Sequence, residues 1–306
     1  MARLSQKPTV AGLIRRTAAR FSRAKLHYGH GTDNAHDEAA ALVLHVLGLG
    51  PVTTALQLRR PVGVRRQAAV AALAERRIRE RIPVVYLTQC CWFAGLPMYI
   101  DERVLIPRSP LAETIAERFA PWIDHRRVRR ICDMGTGSGC IAIACARALP
   151  RASVDAVDIS AEALAVAMIN IRRHRLGRRV RVRQSNYFRS LGTATYDIIV
   201  SNPPYVGQRE LVALPPEYWH EPRMALAAGA DGLDAVHVLL REAPRHLRPG
   251  GLLVVEVGNT ERLVRRRFSA WPFTWLQFER GGGGVFLLTR EQLLAAARRE
   301  RGGERG

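Results

Sequence analysis

No apolar run in this sequence approaches the roughly 18 residues of a membrane span, and the first 25 residues carry charges throughout, with no signal-peptide pattern. A cytoplasmic protein is the expectation. Cysteine is sparse. Cys90, Cys91, Cys132, Cys140 and Cys145 form no C-x-x-C pair and have no histidine at metal spacing, which argues against a disulfide framework or a zinc site and for a reducing compartment. Acidic residues are also few, with Asp+Glu 27 against Lys+Arg 47 and a net charge of +20. That excess fits a polyanionic partner such as RNA. It equally fits an arginine-rich composition spread over a solvated surface.

What is present is enough chain, 306 residues, for about two domains. Val10, Leu13, Ile14, Thr17, Ala18 and Phe21 recur at helical spacing. Asp37–Leu47 and Val64–Ile82 are two further helix candidates, the last ended by Pro83. Residues 1–85 are therefore expected to form a small helical domain. Tyr86–Phe93 and Met98–Ile106 flank Gly95-Leu96-Pro97 and are expected to pair as a linking β-hairpin over 86–107.

From Ser109 on, strand and helix candidates alternate. The strands are Val128–Asp133, Ser153–Asp158, Val180–Arg183, Asp197–Ser201 and Leu252–Val257, with helices at Cys140–Leu149 and Ala161–His174. This is the pattern of an α/β protein with a parallel sheet. Phe273–Phe278 and Val285–Thr289 flank Gly281–Gly284 and are expected to close the sheet as an antiparallel hairpin. Residues 108–292 are then one domain. The charged, glycine-rich tail 293–306 is expected to be disordered.

Two motifs carry chemistry. Asp133-Met134-Gly135-Thr136-Gly137-Ser138-Gly139 follows a strand and opens a helix, where glycines permit a tight turn and close approach of a ligand. Cys140 stands where a dinucleotide fingerprint has its last glycine, and no phosphate loop of the G-x-x-x-x-G-K-[ST] type occurs. Asp158 ends the next strand, where a carboxylate accepts from ribose hydroxyls; a turn or cap residue before the next helix would look the same. Asp133 is placed to meet the amino-acid part of a cofactor, directly or by ordering the loop. A nucleoside ligand without a pyrophosphate fits best.

The second motif is Asn202-Pro203-Pro204-Tyr205, at the carboxyl edge of a buried strand. A planar amide or exocyclic amine is a poor nucleophile because its lone pair is delocalised. Methylating it requires two acceptors that grip its hydrogens and aim the nitrogen. The Asn202 side-chain carbonyl and the Pro203 backbone carbonyl are two such acceptors, and the prolines fix the backbone and remove competing donors. Tyr205 is expected to pack on the flat face of the amide or base.

The order of glycine loop, acidic strand end and Asn-Pro-Pro-Tyr resembles the class I methyltransferases that act on planar nitrogens of DNA, ribosomal RNA or protein glutamine. Tyr86-Leu87-Thr88, Trp92-Phe93, Val104-Leu105-Ile106-Pro107-Arg108, Glu221-Pro222, Ala225-Leu226 and Asp231-Gly232-Leu233 make it similar to the protein-(glutamine-N5) methyltransferase family. Tyr28–Asn34, Arg108-Ser109-Pro110 and His220-Glu221-Pro222 resemble the branch that modifies large-subunit ribosomal protein L-three rather than the branch that modifies peptide chain release factors. The resemblance covers Val10 to Gln292. It implies a class I (Rossmann-like) sheet with a small N-terminal helical domain and a linking hairpin. It implies S-adenosyl-L-methionine as cofactor, held by Asp133, Gly135, Thr136, Gly137, Ser138, Gly139, Asp158, Asn186, Tyr187 and Asn202. It places the glutamine at Asn202, Pro203, Pro204 and Tyr205, with Asn202, Pro203 and Tyr205 catalytic, and no metal. The implied partner is ribosomal protein L-three, alone or in an assembling particle that contains RNA. The family usually has aspartate where Asn186 stands, so adenine here would meet a neutral acceptor. A nucleic-acid amine methyltransferase, and a basic RNA-binding assembly factor without catalysis, are the alternatives.

Overall fold

Thr9 starts the first helix by accepting a hydrogen bond from the Gly12 amide at 3.1 Å, which satisfies one of the donors that a helix start leaves open. The computed structural model describes residues 7–279 and 281–303. The chain divides into two compact units, Met1–Cys91 with Pro215–His220, and Trp92–Leu214 with Glu221–Gly306.

The first unit holds α1 (Val10–Arg23), α2 (Ala35–Leu47), α3 (Ala55–Arg59), α4 (Val64–Glu80) and α5 (Val84–Thr88). Asn34 caps α2 through the Asp37 amide, and Thr54 with Gln57 forms a capping box on α3. Val10, Leu13, Ile14, Phe21, Leu42, Val43, Val70 and Ala74 share one apolar cluster, as their helical spacing predicts. The strand expected from Tyr86 begins as helix instead, because Val84–Thr88 continues as a helical turn after Pro83 and ends at Gln89 in the left-handed region.

At the centre of this unit lies a charge. Arg77 is fully buried. Its guanidinium donates to both oxygens of Glu38 at 3.2 and 3.3 Å, to the His27 carbonyl at 2.8 Å and to Glu217 at 3.3 Å. Glu217 also accepts from the His27 amide at 3.0 Å and from Arg81 at 3.2 Å, and His220 Nε2 meets the Glu80 carbonyl at 2.9 Å. Residues 215–220 thus complete the helical unit, an assignment that a linear division at residue 85 does not contain.

In the second unit, β2 (Leu96–Tyr99) pairs with β1 (Cys90–Phe93), whose middle carries the boundary between units. Then follow α6 (Leu111–Ala116), β3 (Arg130–Met134), α7 (Cys140–Ala148), β4 (Ser153–Asp158), α8 (Ala161–Arg173), β5 (Val180–Gln184), β6 (Tyr196–Ser201), α9 (Gln208–Ala213), α10 (Arg223–Leu226), α11 (Asp234–His246), β7 (Leu247–Glu256), α12 (Glu261–Arg267), β8 (Thr274–Trp275), β9 (Val285–Thr289) and α13 (Arg290–Gly303). The sheet order is β5-β4-β3-β6-β7-β9-β8. Strands β3 to β7 run parallel and β9 is antiparallel to β7 and β8. The order reverses between β3 and β6, the switch point at which such sheets bind ligands. This is a Rossmann-like class I methyltransferase sheet.

Two expectations change here. The strand predicted over Phe273–Phe278 shrinks to Thr274–Trp275, since Phe273 turns into a cluster with Trp271, Trp275 and Phe286. The tail expected to be disordered over 293–306 is helical through Gly303. Leu293 and Ala296 bury themselves in the sheet core and Trp271 donates to Glu300 at 2.6 Å; residues 304–306 lie outside the described residues.

Arg77→Met leaves the Glu38 and Glu217 carboxylates buried without their shared cation. A loss of about 3–5 kcal/mol is expected, measured by urea denaturation of the whole chain. A loss below about 1 kcal/mol would show that the charge cluster is dispensable.

Candidate functional site

The carboxyl ends of β3 and β6 lie side by side, with Met134 opposite Ser201 in register. The Ser201 hydroxyl donates to the Met134 carbonyl at 2.7 Å, which fixes the two loops that follow. Around them opens a cavity of about 640 Å³, large enough for a nucleoside cofactor. Gly135 and Gly137 from the first loop, Asp158 at the end of β4, Asn186 and Tyr187 after β5, and Asn202, Pro203 and Pro204 after β6 all line it.

The glycine loop is shaped from below. Asp133 is completely buried and does not reach the cavity. Its Oδ2 accepts from the Thr136 hydroxyl at 2.5 Å and from the Ala142 amide at 2.9 Å. Burial pushes its carboxyl up to about 7, against those two hydrogen bonds. Of the two roles left open for Asp133, ordering the loop is the one its contacts serve. Thr136, Ser138 and Gly139, expected around the cofactor, stand behind the wall. Thr136 faces Asp133, the Ser138 carbonyl accepts from Asn170 at 2.9 Å, and a Cβ on Gly139 would sit 3.2 Å from Ala167 Cβ. Gly139, at φ 80°, therefore serves close packing of the loop on α8.

Asp158 faces the cavity with one oxygen accepting from the Gly137 amide at 2.8 Å and the other from the Ser160 amide at 2.9 Å. Burial raises its pKa. Each oxygen keeps a second lone pair for a hydroxyl. Across the cavity, the Asn202 side-chain oxygen is buried and has no hydrogen-bond partner. An orphaned buried acceptor is unfavourable by about 1–3 kcal/mol until a donor reaches it. The residues thus fit a nucleoside cofactor beside an N–H donor.

Tyr205 is placed differently from the other three residues of its motif. It does not line the cavity. A Cβ on Gly258 would lie 2.8 Å from its ring, and one on Gly232 would lie 2.5 Å from its carbonyl oxygen. The two glycines clamp the end of the Asn-Pro-Pro-Tyr turn, and Tyr205 packs against them there.

Several site residues escaped the sequence reading. Glu102–Leu105, Glu162, Met224 and Asp234 line the cavity as well. Asp234 follows directly on the Asp231-Gly232-Leu233 motif, which was the available signal. The flanking walls are joined by Arg108, whose guanidinium makes paired bonds to Glu221 at 2.6 and 2.7 Å, while the Ile106 amide donates to the same carboxylate at 3.1 Å. Ser109 donates to Glu256, whose carboxyl burial raises to about 7. Asn170, fully buried, bonds both the amide and the carbonyl of Tyr99 as well as Ser138, which ties the hairpin to the glycine loop. Among the described residues no group of three or more His, Cys, Asp or Glu is arranged to hold a metal ion, and no helix is long and apolar enough to cross a membrane.

Residues 114–215 match the family model of the methyltransferase small domain, and residues 13–88 match that of the PrmC N-terminal domain. A Neisseria meningitidis serogroup B protein named ribosomal protein uL3 glutamine methyltransferase is 46% identical over 287 residues, covering 94% of each chain. A Bordetella pertussis protein of the same name is 46% identical over 286 residues, covering 93% of this chain and 96% of that one. Among solved structures, the hMettl16 catalytic domain in complex with the MAT2A 3′UTR hairpin 1 superposes with a TM-score of 0.50 at 18% identity, covering 81% of this chain and 90% of that one; that likeness concerns the fold. At such identity over nearly the full length of both chains, with the glycine loop, Asp158 and Asn202 gathered on one cavity, this chain belongs to the ribosomal protein uL3 glutamine methyltransferase family.

Proposed function

We propose that this protein transfers a methyl group from S-adenosyl-L-methionine to the side-chain amide nitrogen, N5, of a glutamine in large-subunit ribosomal protein uL3, in the cytoplasm where ribosomes assemble. The observation that carries this reading is the buried, unpartnered oxygen of Asn202 on the cavity wall. It is an acceptor built for an N–H that the chain itself does not supply.

Asp158 would hold the ribose through the lone pairs left open on its two oxygens, and Gly135 and Gly137 would let the methionine part approach the backbone. Asn186 would accept from the adenine amine, beside Tyr187. The cofactor supplies an activated methyl on a positively charged sulfur. Asn202 Oδ1 and the Pro203 carbonyl accept the two amide hydrogens of the glutamine, which turns the nitrogen lone pair toward that methyl. These acceptors would also stabilise the positive charge that develops on nitrogen as the N–C bond forms and the methyl leaves the cofactor's sulfur; sulfur would keep the electron pair of the broken bond as S-adenosylhomocysteine departs, and the amide proton would leave to solvent. Holding the reacting atoms in line accounts for most of the expected acceleration.

Asn202→Ala is expected to lower kcat by roughly 100-fold or more while cofactor affinity, read by calorimetry, changes little. A defect confined to the KM for cofactor would contradict the assigned role. Asp158→Ala is expected to weaken cofactor binding by about 1.5–3 kcal/mol; unchanged affinity in the folded variant would reduce Asp158 to a turn residue.

The substrate is tested with labelled cofactor offered uL3, a peptide chain release factor and ribosomal RNA. Label is expected on a glutamine of uL3, located by mass spectrometry. Label on the release factor alone would move the chain to the other substrate, and label on RNA alone would overturn amide chemistry on protein.

A further inference from the structure

Eight arginines and no carboxylate lie between Glu162 and Asp197. They are Arg172 and Arg173 in the last turn of α8, Arg175, Arg178 and Arg179 in the turn after it, Arg181 and Arg183 on β5, and Arg189 beyond. β5 is the outermost strand, hydrogen-bonded only to β4, so this run occupies one margin of the catalytic sheet.

Some exposed arginines elsewhere find carboxylates, as in Arg76–Glu80, Arg127–Asp124, Arg241–Glu242 and Arg265–Glu261, and others, such as Arg15, Arg16, Arg209 and Arg262, are exposed and make no ion pair among the described residues; what marks this stretch is the gathering of eight arginines with no carboxylate between them. On the β5 margin, Asp155 is shared between Arg130 and Arg183, each at 3.3 Å, and also accepts from the Tyr196 hydroxyl. Arg173 lies over the Tyr99 ring and Arg179 donates to the Ala146 carbonyl at 2.6 Å. Arg172, Arg175, Arg178, Arg181 and Arg189 are exposed and make no ion pair among the described residues. Like charges so gathered repel one another, and among the described residues Asp155, through Arg183, is the carboxylate that offsets part of that repulsion.

We propose that the β5 margin with the end of α8 is a binding surface for the phosphate backbone of RNA. Guanidinium groups suit this role because each presents several donors in a plane that matches phosphate oxygens. Arg181 and Arg183 lie two residues apart on one face of the strand, roughly 7 Å. The strand runs directly into Ser185, Asn186 and Tyr187 at the cavity wall, so RNA held on this margin is adjacent to the methyl-transfer site. That the RNA is ribosomal and accompanies uL3 rests on the function proposed above; the phosphate-binding surface does not. Such RNA would also offset the repulsion between a chain of net charge +20 and a basic ribosomal protein.

The test is the triple variant Arg172→Ala, Arg178→Ala, Arg181→Ala in the full chain, with the triple lysine variant as the charge-conserving control. Binding of a fluorescein-labelled fragment of large-subunit ribosomal RNA is followed by anisotropy over a salt series. The alanine variant is expected to bind at least roughly tenfold more weakly, with the slope of log affinity against log salt flattened by about two to three. The lysine variant is expected to keep most of both. Methylation of free uL3 should be unchanged, and methylation of uL3 in an RNA-containing particle should fall. Equal RNA affinity and slope in wild type and alanine variant would overturn the proposal, as would aggregation of the alanine variant without an RNA effect, which would make these arginines guards of an open sheet edge. If wild type leaves uL3 unlabelled while the salt slope still flattens, the substrate reading falls and the RNA surface stands.

Discussion

One buried carboxylate sets the shape of the ligand cavity. Asp133 sits near the end of β3, fully buried, and its Oδ2 is reached only if Thr136 folds back over it and α7 begins where Ala142 can donate. That requirement bends the intervening loop. Gly135 and Thr136 both then donate to the Val157 carbonyl at 2.8 Å, and the Gly137 amide turns to Asp158. The floor of the cavity is thus drawn from hydrogen bonds made out of its sight. The neighbouring loop inherits its position through Ser201, so the orphaned acceptor of Asn202 is referred to the same anchor.

The second constraint is lateral. Arg108 and Glu221 are 113 residues apart, yet their paired bonds hold the two segments that flank the cavity, and Asn170 spans 71 residues to Tyr99 for the hairpin. Each is a planar group answered by a planar arrangement of partners, which fixes orientation as well as distance. The chemistry asks for such rigidity, because aligning a weak nitrogen nucleophile tolerates little slack.

The alternating sheet was legible in the sequence because buried parallel strands and amphipathic helices leave different periods in the chain. The cavity-lining Gly135, Gly137, Asp158, Asn186 and Asn202 were legible because each ends a strand or follows one closely. Local pattern failed where long-range contact decides. Val84–Thr88 has strand-like residues but folds as a helical turn. The charged tail hid Leu293 and Ala296, which suffice to dock a helix. Thr136, Ser138, Gly139 and Tyr205 belong to the same motifs, yet motif membership does not say what each packs against; that depends on Asp133, Asn170, Ala167 and Gly258. Glu217 offered no signal at all, since its partner Arg77 lies 140 residues earlier.

That last separation bears on how the molecule is made. The helical unit is encoded first, but its central guanidinium receives its second carboxylate only from Pro215–His220. A chain emerging from the ribosome therefore carries an incomplete first unit until the glycine loop, four strands of the sheet and the Asn-Pro-Pro-Tyr turn have all been synthesised. Completion of the front of the protein is in this way a report that the Asn-Pro-Pro-Tyr turn has already been built.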